Sequence, residues 1–218
     1  MNTVKNWSAP EYCLSTQILE PDSELAALVY SRVCRSDFSA PGFLLINLGR
    51  DCDSHALRQF MFKLKGLMRR IYQAQTGRDL VYLSAARFDQ QSTTKLHRDG
   101  GPDECFLMLG YEPSQVRAAV AISDYSQCAH EMGLTPSEFL ERHNPMFRTG
   151  EELLRPFTTS VDCFSNFDSQ ILLINNSMTA FSDGNKTWQG VLHTATIENP
   201  SDDLRRVINS TMIAAVPM

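Results

Sequence analysis

Several familiar catalytic signatures are missing from this chain of 218 residues, and each absence disfavours a class of protein. The sequence has no G-x-S-x-G nucleophile elbow, no G-x-x-x-x-G-K-[ST] phosphate loop, no G-x-G-x-x-G dinucleotide fingerprint and no H-E-x-x-H zinc helix. Apolar runs are short as well, because none approaches the roughly 20 residues of a membrane-spanning helix. The chemistry therefore has to be sought in a less common arrangement of side chains.

Targeting and zinc-finger patterns are also lacking. The opening segment MNTVKNWSAPEY has neither the basic nor the apolar region of a secretory signal, so we expect a cytoplasmic protein with no membrane partner. The 6 cysteines form no C-x-x-C pair, which disfavours structural zinc and fits reduced thiols. A formal charge of −5, from 20 basic and 25 acidic residues, disfavours general binding to a phosphate backbone, and we expect no nucleic-acid partner.

The chain does contain a helical amino-terminal part, which gives way to a strand-rich remainder near residue 79. Helical patterns run from Glu24 to Cys34 and from Asp53 to Gln75. In the second pattern apolar residues recur at spacings of three and four, and Gly77 is a typical stop. Phe43–Ile46 is typical of a short buried strand. The long second helix is expected to cover a sheet.

Short β-prone segments separated by turn residues dominate the rest of the chain. The eight candidates are Leu80–Phe88, Lys95–His97, Cys105–Leu109, Arg117–Ser123, Ser160–Phe164, Gln170–Asn175, Gly190–Ile197 and Arg205–Ala215. A helical insertion at about 126–156 interrupts them, with a capping box at Thr135–Glu138 and a similar pattern at Thr149–Glu152. A turn at 183–186 precedes the seventh strand and is a candidate loop over the barrel mouth.

Eight short strands of this kind favour a closed or sandwiched antiparallel barrel, a jelly roll included. The length of the chain is compatible with a single domain over residues 1–218. Within it, residues 1–79 would form a helical and strand part that covers the barrel, and residues 80–215 would form the β core. The predicted fold is therefore mainly β with flanking helices.

One group of residues has the chemistry of a metal site. His97 and Asp99 are two positions apart at the end of the second predicted strand, so their side chains share a face. His193 lies in the seventh predicted strand, which an antiparallel barrel can bring beside the second. Two histidines and one carboxylate form the ligand set of a non-haem iron site with open positions, whereas structural zinc normally has four protein ligands.

With these residues in place, the sequence resembles the Fe(II)/2-oxoglutarate-dependent dioxygenase superfamily. That family has an H-x-D…H triad on a double-stranded β-helix, which is a jelly-roll or cupin-like barrel, and an arginine on its eighth strand. The matching residues are His97, Asp99 and His193, followed by the segment DDLRRV at 202–207. The resemblance spans about residues 80–215 and implies that the triad binds iron.

The resemblance also implies that Arg205 or Arg206 binds the distal carboxylate of 2-oxoglutarate, because a guanidinium fork makes two charge-assisted hydrogen bonds. Alternation along the strand separates the two arginines. We narrowly prefer Arg205, because it shares a face with the polar residues Asn209 and Thr211. The Ser or Thr that the family often carries two residues after the arginine is absent in both registers.

The function that the resemblance implies is that of a soluble oxygenase using Fe(II) as cofactor and 2-oxoglutarate as cosubstrate. Such an enzyme releases succinate and CO₂ and hydroxylates a small-molecule or amino-acid-like substrate. Two alternatives stay open. One is a cupin-like metal-dependent isomerase or dioxygenase that takes no 2-oxo acid. The other is a metal-free β-helix binding protein that keeps only the fold.

Overall fold

The computed structural model describes residues 7–16, 18–182 and 186–216 of the chain. It is mostly sheet with helices, and most of the turn expected at 183–186 lies outside the described residues. The helices are α1 (Ala9–Tyr12), α2 (Ser23–Val33), α3 (Ser54–Thr76), α4 (Tyr125–Glu131), α5 (Pro136–Arg142) and α6 (Arg148–Leu154). The strands are β1 (Cys13–Ser15), β2 (Phe43–Gly49), β3 (Asp79–Asp89), β4 (Cys105–Tyr111), β5 (Ala118–Ser123), β6 (Thr158–Ser160), β7 (Ser169–Asn175), β8 (Leu192–Ile197) and β9 (Val207–Val216). Over these residues, no helix has the length and hydropathy needed to cross a membrane.

The two long amino-terminal helices begin and end where the sequence predicts. The Asp22 carboxylate accepts a hydrogen bond from Leu25 N at the start of α2, and Asp53 does the same for Ala56 N at the start of α3. Helix α3 ends at Gly77, whose φ of 69° is the left-handed conformation that glycine adopts without strain. Its buried side chains, Leu57, Phe60, Met61, Leu64, Lys65, Met68 and Tyr72, repeat at helical spacing.

The larger sheet has six strands in the order β1-β2-β7-β4-β9-β3. Only β1 and β2 run parallel, and every other neighbouring pair in this sheet is antiparallel. Alternation gives β4 two faces: Phe106 and Met108 pack with α3, whereas Leu107 and Leu109 belong to a second apolar cluster. That second cluster also contains Val120 of β5, so it fills the space between the two sheets.

The smaller sheet has the order β6-β5-β8, and a single antiparallel bridge between His97 and His193 extends it beyond β8. The second predicted strand is therefore reduced to one bridged residue. The prediction of a strand over Ser160–Phe164 was wrong, because pairing with β5 uses Thr158–Ser160 and the chain turns away afterwards. From β3 onward, with the His97 segment counted between β3 and β4, the chain alternates between the two sheets, except that β5 and β6 are neighbours in the smaller one.

Three short helices, α4 to α6, form the insertion, as expected. They pack on the face of the smaller sheet that lies opposite the histidine side chains. Helix α5 has the predicted capping box, in which Thr135 and Glu138 exchange hydrogen bonds. The similar pattern at Thr149–Glu152 is not a cap, because α6 has already begun at Arg148 after Phe147. Leu96 and Leu192 pack into the apolar cluster of the insertion. Because strand neighbours point to opposite faces, the adjacent His97 and His193 face the space between the sheets.

Candidate metal centre

The two predicted histidines lie side by side across the edge of the smaller sheet. The backbone N–H of each donates to the carbonyl of the other, with both N···O distances 3.0 Å. Their ring centroids are 4.2 Å apart, because residues directly opposite in such a pair project to the same side. His193 also lies opposite Ile122 of β5, which places it on the inner face of this sheet.

Asp99 completes the group, as the sequence predicts. One donor atom from each of His97, Asp99 and His193 lies within 4.8 Å of the other two. His97 Nε2 is 3.4 Å from Asp99 Oδ1. The side chain of Asp99 is 38% exposed and that of His97 29%, whereas His193 is buried. The site therefore has a closed side at His193 and an open side at Asp99.

The ring orientation of His97 is set by the backbone. Its Nδ1 lies 2.7 Å from the carbonyl oxygen of Lys95. A carbonyl only accepts hydrogen bonds, so Nδ1 carries the proton and Nε2 presents its lone pair toward Asp99 whenever the ring is neutral. This is the arrangement that metal-ligating histidines use, in which a carbonyl holds the ring nitrogen that faces away from the metal.

The electrostatic environments of the three groups differ. The hydrogen bond with Asp99 raises the pKa of His97 although burial opposes this, and the same bond lowers the pKa of Asp99. Burial, together with the charge of His97, lowers the pKa of His193 to about 4. His193 is thus neutral near pH 7. Its Nδ1 is buried without a hydrogen-bond partner, an uncompensated polar atom in the wall of the site.

These observations fit a divalent transition metal. Two imidazole nitrogens and one carboxylate oxygen form the donor set of an open, three-ligand site. Among the described residues, no cysteine belongs to the group. The structure thus brings together all three residues that the sequence predicted as ligands, and their role in binding metal stays a prediction.

The segment that carries Asp99 is held by residues that the sequence analysis did not single out. The side-chain amide of Asn176 bonds to both the N–H and the carbonyl of Asp99. The Arg98 guanidinium donates to the carbonyls of Asn176, Gly101 and Pro102. No sequence signal distinguishes this asparagine, because its partners lie more than 70 positions away along the chain.

The two predicted cosubstrate arginines are in opposite environments. Arg205 is exposed, whereas Arg206 is only 2% exposed and shares the inner face with Ile208. Which arginine binds a cosubstrate stays a prediction, but of the two only Arg206 faces the interior. The reason is that the polar residues Asn209 and Thr211 mark the outer face of β9, toward α3, so the arginine on their side faces away from the interior.

Arg206 lies in an aromatic pocket between the sheets. Its guanidinium carbon is 4.9 Å from the ring centroid of Tyr111 and 5.9 Å from that of Phe164. Nη1 donates to Gln90 Oε1, but Nη2 is buried and has no partner. Burial lowers the pKa of Arg206, and Tyr111 partly offsets this. The pKa of Tyr111 is raised by burial and, more weakly, by the charge of Asp99, whereas Arg206 lowers it.

Comparisons with known proteins provide little beyond this geometry. No protein-family model matches the chain, and no curated protein matches its sequence. Among solved structures, an iron and alpha-ketoglutarate-dependent endoperoxidase, NvfI, in a different conformation, is 11% identical with a TM-score of 0.44. The match covers 86% of this chain and 82% of that chain. Because both the identity and the TM-score are low, the chemistry of the site rests on its own side chains.

Proposed function

We propose that this protein is an Fe(II)- and 2-oxoglutarate-dependent oxygenase. The single observation that carries the proposal is one interior that holds both a His97/Asp99/His193 donor group and a buried arginine without a counter-ion. A cation site and an anion site between the same two sheets suit a cosubstrate that chelates metal at one end and carries a carboxylate at the other. The buried guanidinium of Arg206 does not stabilise the fold by itself, because a buried charge without an ion-pair partner is costly.

The strand order supports assigning the fold to the double-stranded β-helix. Counted from β3, with the His97 segment as second strand, the larger sheet has the core order first, eighth, third and sixth. The smaller sheet, extended by the His97 bridge, has the order second, seventh, fourth and fifth. This interleaving is what two antiparallel sheets acquire when one long hairpin is wound into a jelly roll.

The residues then take separate roles. His97, Asp99 and His193 would hold Fe(II), leaving positions open for a bidentate 2-oxo acid and dioxygen. Arg206 would bind the distal carboxylate through Nη2, with Tyr111 and Phe164 fixing the plane of the guanidinium. Bound iron and 2-oxoglutarate would supply the oxidising power for hydroxylation, with succinate and CO₂ as coproducts. The chain itself binds, orients and excludes water.

The substrate would be a small or amino-acid-like molecule that enters beside β3. Within the described part of the chain this edge strand pairs only with β9, and its inner-face residues Ala86 and Phe88 are exposed, with Phe88 43% exposed. The opposite side is closed by the insertion helices packed on Leu96 and Leu192. A substrate arriving past Phe88 would meet the more exposed side of the site, where Asp99 lies.

The proposal is tested by anaerobic titration of the metal-free protein with Fe(II) and then 2-oxoglutarate. We expect the weak visible charge-transfer band of a chelated 2-oxo acid, and its loss in His97→Ala and in His193→Ala. His55→Ala is the matched control, because His55 is exposed on α3 and belongs to no donor group among the described residues. Metal binding without the band would favour the cupin-like enzyme. No metal binding at all would favour the metal-free binding protein.

A further inference from the structure

Of the three donor residues, Asp99 has the weakest support from secondary structure. His193 lies in β8, and His97 is bridged to it through two backbone hydrogen bonds. Asp99 belongs to no strand or helix and is followed by Gly100 and Gly101, which allow wide backbone freedom. The carboxylate of Asp99 would have no fixed orientation unless other residues hold the backbone of this segment.

The side chain of Asn176 provides that support. Its Oδ1 accepts from the backbone N–H of Asp99 at 3.0 Å, and its Nδ2 donates to the backbone carbonyl of Asp99 at 2.9 Å. One amide thus satisfies both backbone groups of Asp99, as a neighbouring strand would. The carboxylate stays free to face His97 and His193.

Asn176 is itself rigidly held. It is fully buried at the end of β7, and its backbone N–H donates to the carbonyl of Cys105 at 2.9 Å. Its Nδ2 also lies 3.3 Å from Cys105 Sγ. The side-chain amide of Asn176 therefore fixes the backbone of Asp99 relative to the central strands β4 and β7.

Arg98 holds the residues that follow Asp99 through a second set of hydrogen bonds. Arg98 Nε donates to the carbonyl of Asn176 at 2.7 Å, and Nη2 donates to that of Gly101 at 2.8 Å. A Cβ on Gly101 would lie 2.6 Å from Met212 Sδ, so the turn approaches β9 more closely than a side chain would permit. The turn is held on both sides, but among the described residues only Asn176 bonds to the backbone of Asp99.

We propose that Asn176 is a positioning residue of the metal centre, which sets the direction of the Asp99 carboxylate by fixing the backbone of Asp99. This inference rests on the proposed function in one respect, since it requires that the donor group binds metal. It goes beyond that function because Asn176 would touch neither metal nor substrate. Partners of this kind, which orient a ligand, typically change metal affinity by about 10- to 100-fold.

The experiment compares anaerobic Co(II) binding by the metal-free wild-type protein, Asn176→Leu and Asn175→Leu. Asn175 is the matched control: it is equally buried and adjacent, but its amide bonds to the carbonyl of Val33 and the N–H of Ser177. We expect about 10- to 100-fold weaker Co(II) binding and an altered visible d–d spectrum for Asn176→Leu alone. Asn176→Ser also loses the reach to Asp99 and serves if the leucine variant does not fold.

A double-mutant cycle separates positioning from general damage to the fold. In an Asp99→Ala background, Asn176→Leu should weaken Co(II) binding no further, because the carboxylate on which it acts is gone. An equal loss in both backgrounds, or unchanged affinity in the single variants, would overturn the inference while leaving the metal site intact. If the wild-type protein binds no Co(II) or Fe(II), the proposed function itself fails.

Discussion

Arg35 and Arg206 are both buried, and the regions around them differ in one respect. Arg35 donates from Nε to the carbonyl of Gln189 at 3.1 Å, from Nη1 to that of Ala40 at 2.7 Å and from Nη2 to the Asp124 carboxylate at 2.5 Å. Arg206 has one side-chain oxygen, from Gln90, and two aromatic rings. In the described part of the chain, no carboxylate forms an ion pair with Arg206.

The two buried arginines therefore differ in how their positive charge is neutralised. Arg35 joins the end of α2 to the start of α4, so its charge is neutralised within the fold. Arg206 occupies a comparable volume of interior but leaves Nη2 without a partner. A buried cation in that state costs free energy that an incoming anion would recover. The five predictions below test this contrast.

The largest effect is expected for Arg35→Met. Removing the arginine leaves the buried Asp124 carboxylate without a counter-ion, which costs about 3–5 kcal/mol of unfolding free energy. Urea denaturation of the metal-free protein measures it. A loss below about 1 kcal/mol would mean that the Asp124 carboxylate is neutralised without Arg35.

Arg206→Met should separate stability from binding. We expect the unfolding free energy to stay within about 1 kcal/mol of the wild-type value, because an apolar side chain replaces a charge that has no ion-pair partner. The affinity of the Mn(II)-loaded protein for 2-oxoglutarate should fall by about 30-fold or more, since a buried charge-assisted contact is lost. Calorimetric titration measures it, and unchanged affinity would remove Arg206 from the cosubstrate site.

Arg206→Lys should give an intermediate loss of 2-oxoglutarate affinity, of about 10-fold. The ammonium keeps the positive charge but has no planar fork and stacks less well on Tyr111 and Phe164. The same titration applies. If lysine bound the cosubstrate as tightly as arginine, charge alone would account for recognition.

Glu112 shows the milder case of a carboxylate held at the edge of the fold. Burial raises its pKa, but hydrogen bonds from Arg87, Ser54 and Asn209 outweigh this, so the pKa lies below the ordinary value. The ionised group therefore adds stability above its unfolded pKa, and this contribution is lost as the pH falls through the folded pKa. We expect Glu112→Gln to cost about 1 kcal/mol at pH 7, limited by the exposure of Arg87. The difference in unfolding free energy between the wild-type protein and Glu112→Gln should disappear below about pH 4, as measured by urea denaturation.

The smallest effect is expected for Arg205→Met, the direct counterpart of Arg206→Met. Arg205 is exposed, and the contact that involves it is its backbone carbonyl, which accepts from Ser114. Both the unfolding free energy, to within about 0.5 kcal/mol, and the 2-oxoglutarate affinity should stay at wild-type values. A marked loss of cosubstrate binding here would restore the preference for Arg205.

Local patterns in the sequence predicted the elements that depend on local chemistry. The stop at Gly77 and the capping box at Thr135 both act within a few residues, and each lies where expected. The prediction of a strand over Ser160–Phe164 was wrong, since the extent of this strand depends on which residues pair with β5. Asn209 and Thr211 did not mark the inner face of β9 for a related reason: a polar neighbour identifies a face only when the position of the core is known.

The amino-acid sequence by itself determined the mainly β character with flanking helices, the helical insertion and the identity of the three donor residues. These follow from periodicity, capping and residue chemistry, which act over short distances along the chain. Only the tertiary structure decided that Arg206 faces the interior, that Tyr111 and Phe164 enclose it, and that Asn176 fixes the backbone of Asp99. Those relations join residues some 40 to 100 positions apart, and they arise when two sheets pack face to face and bury the groups between them.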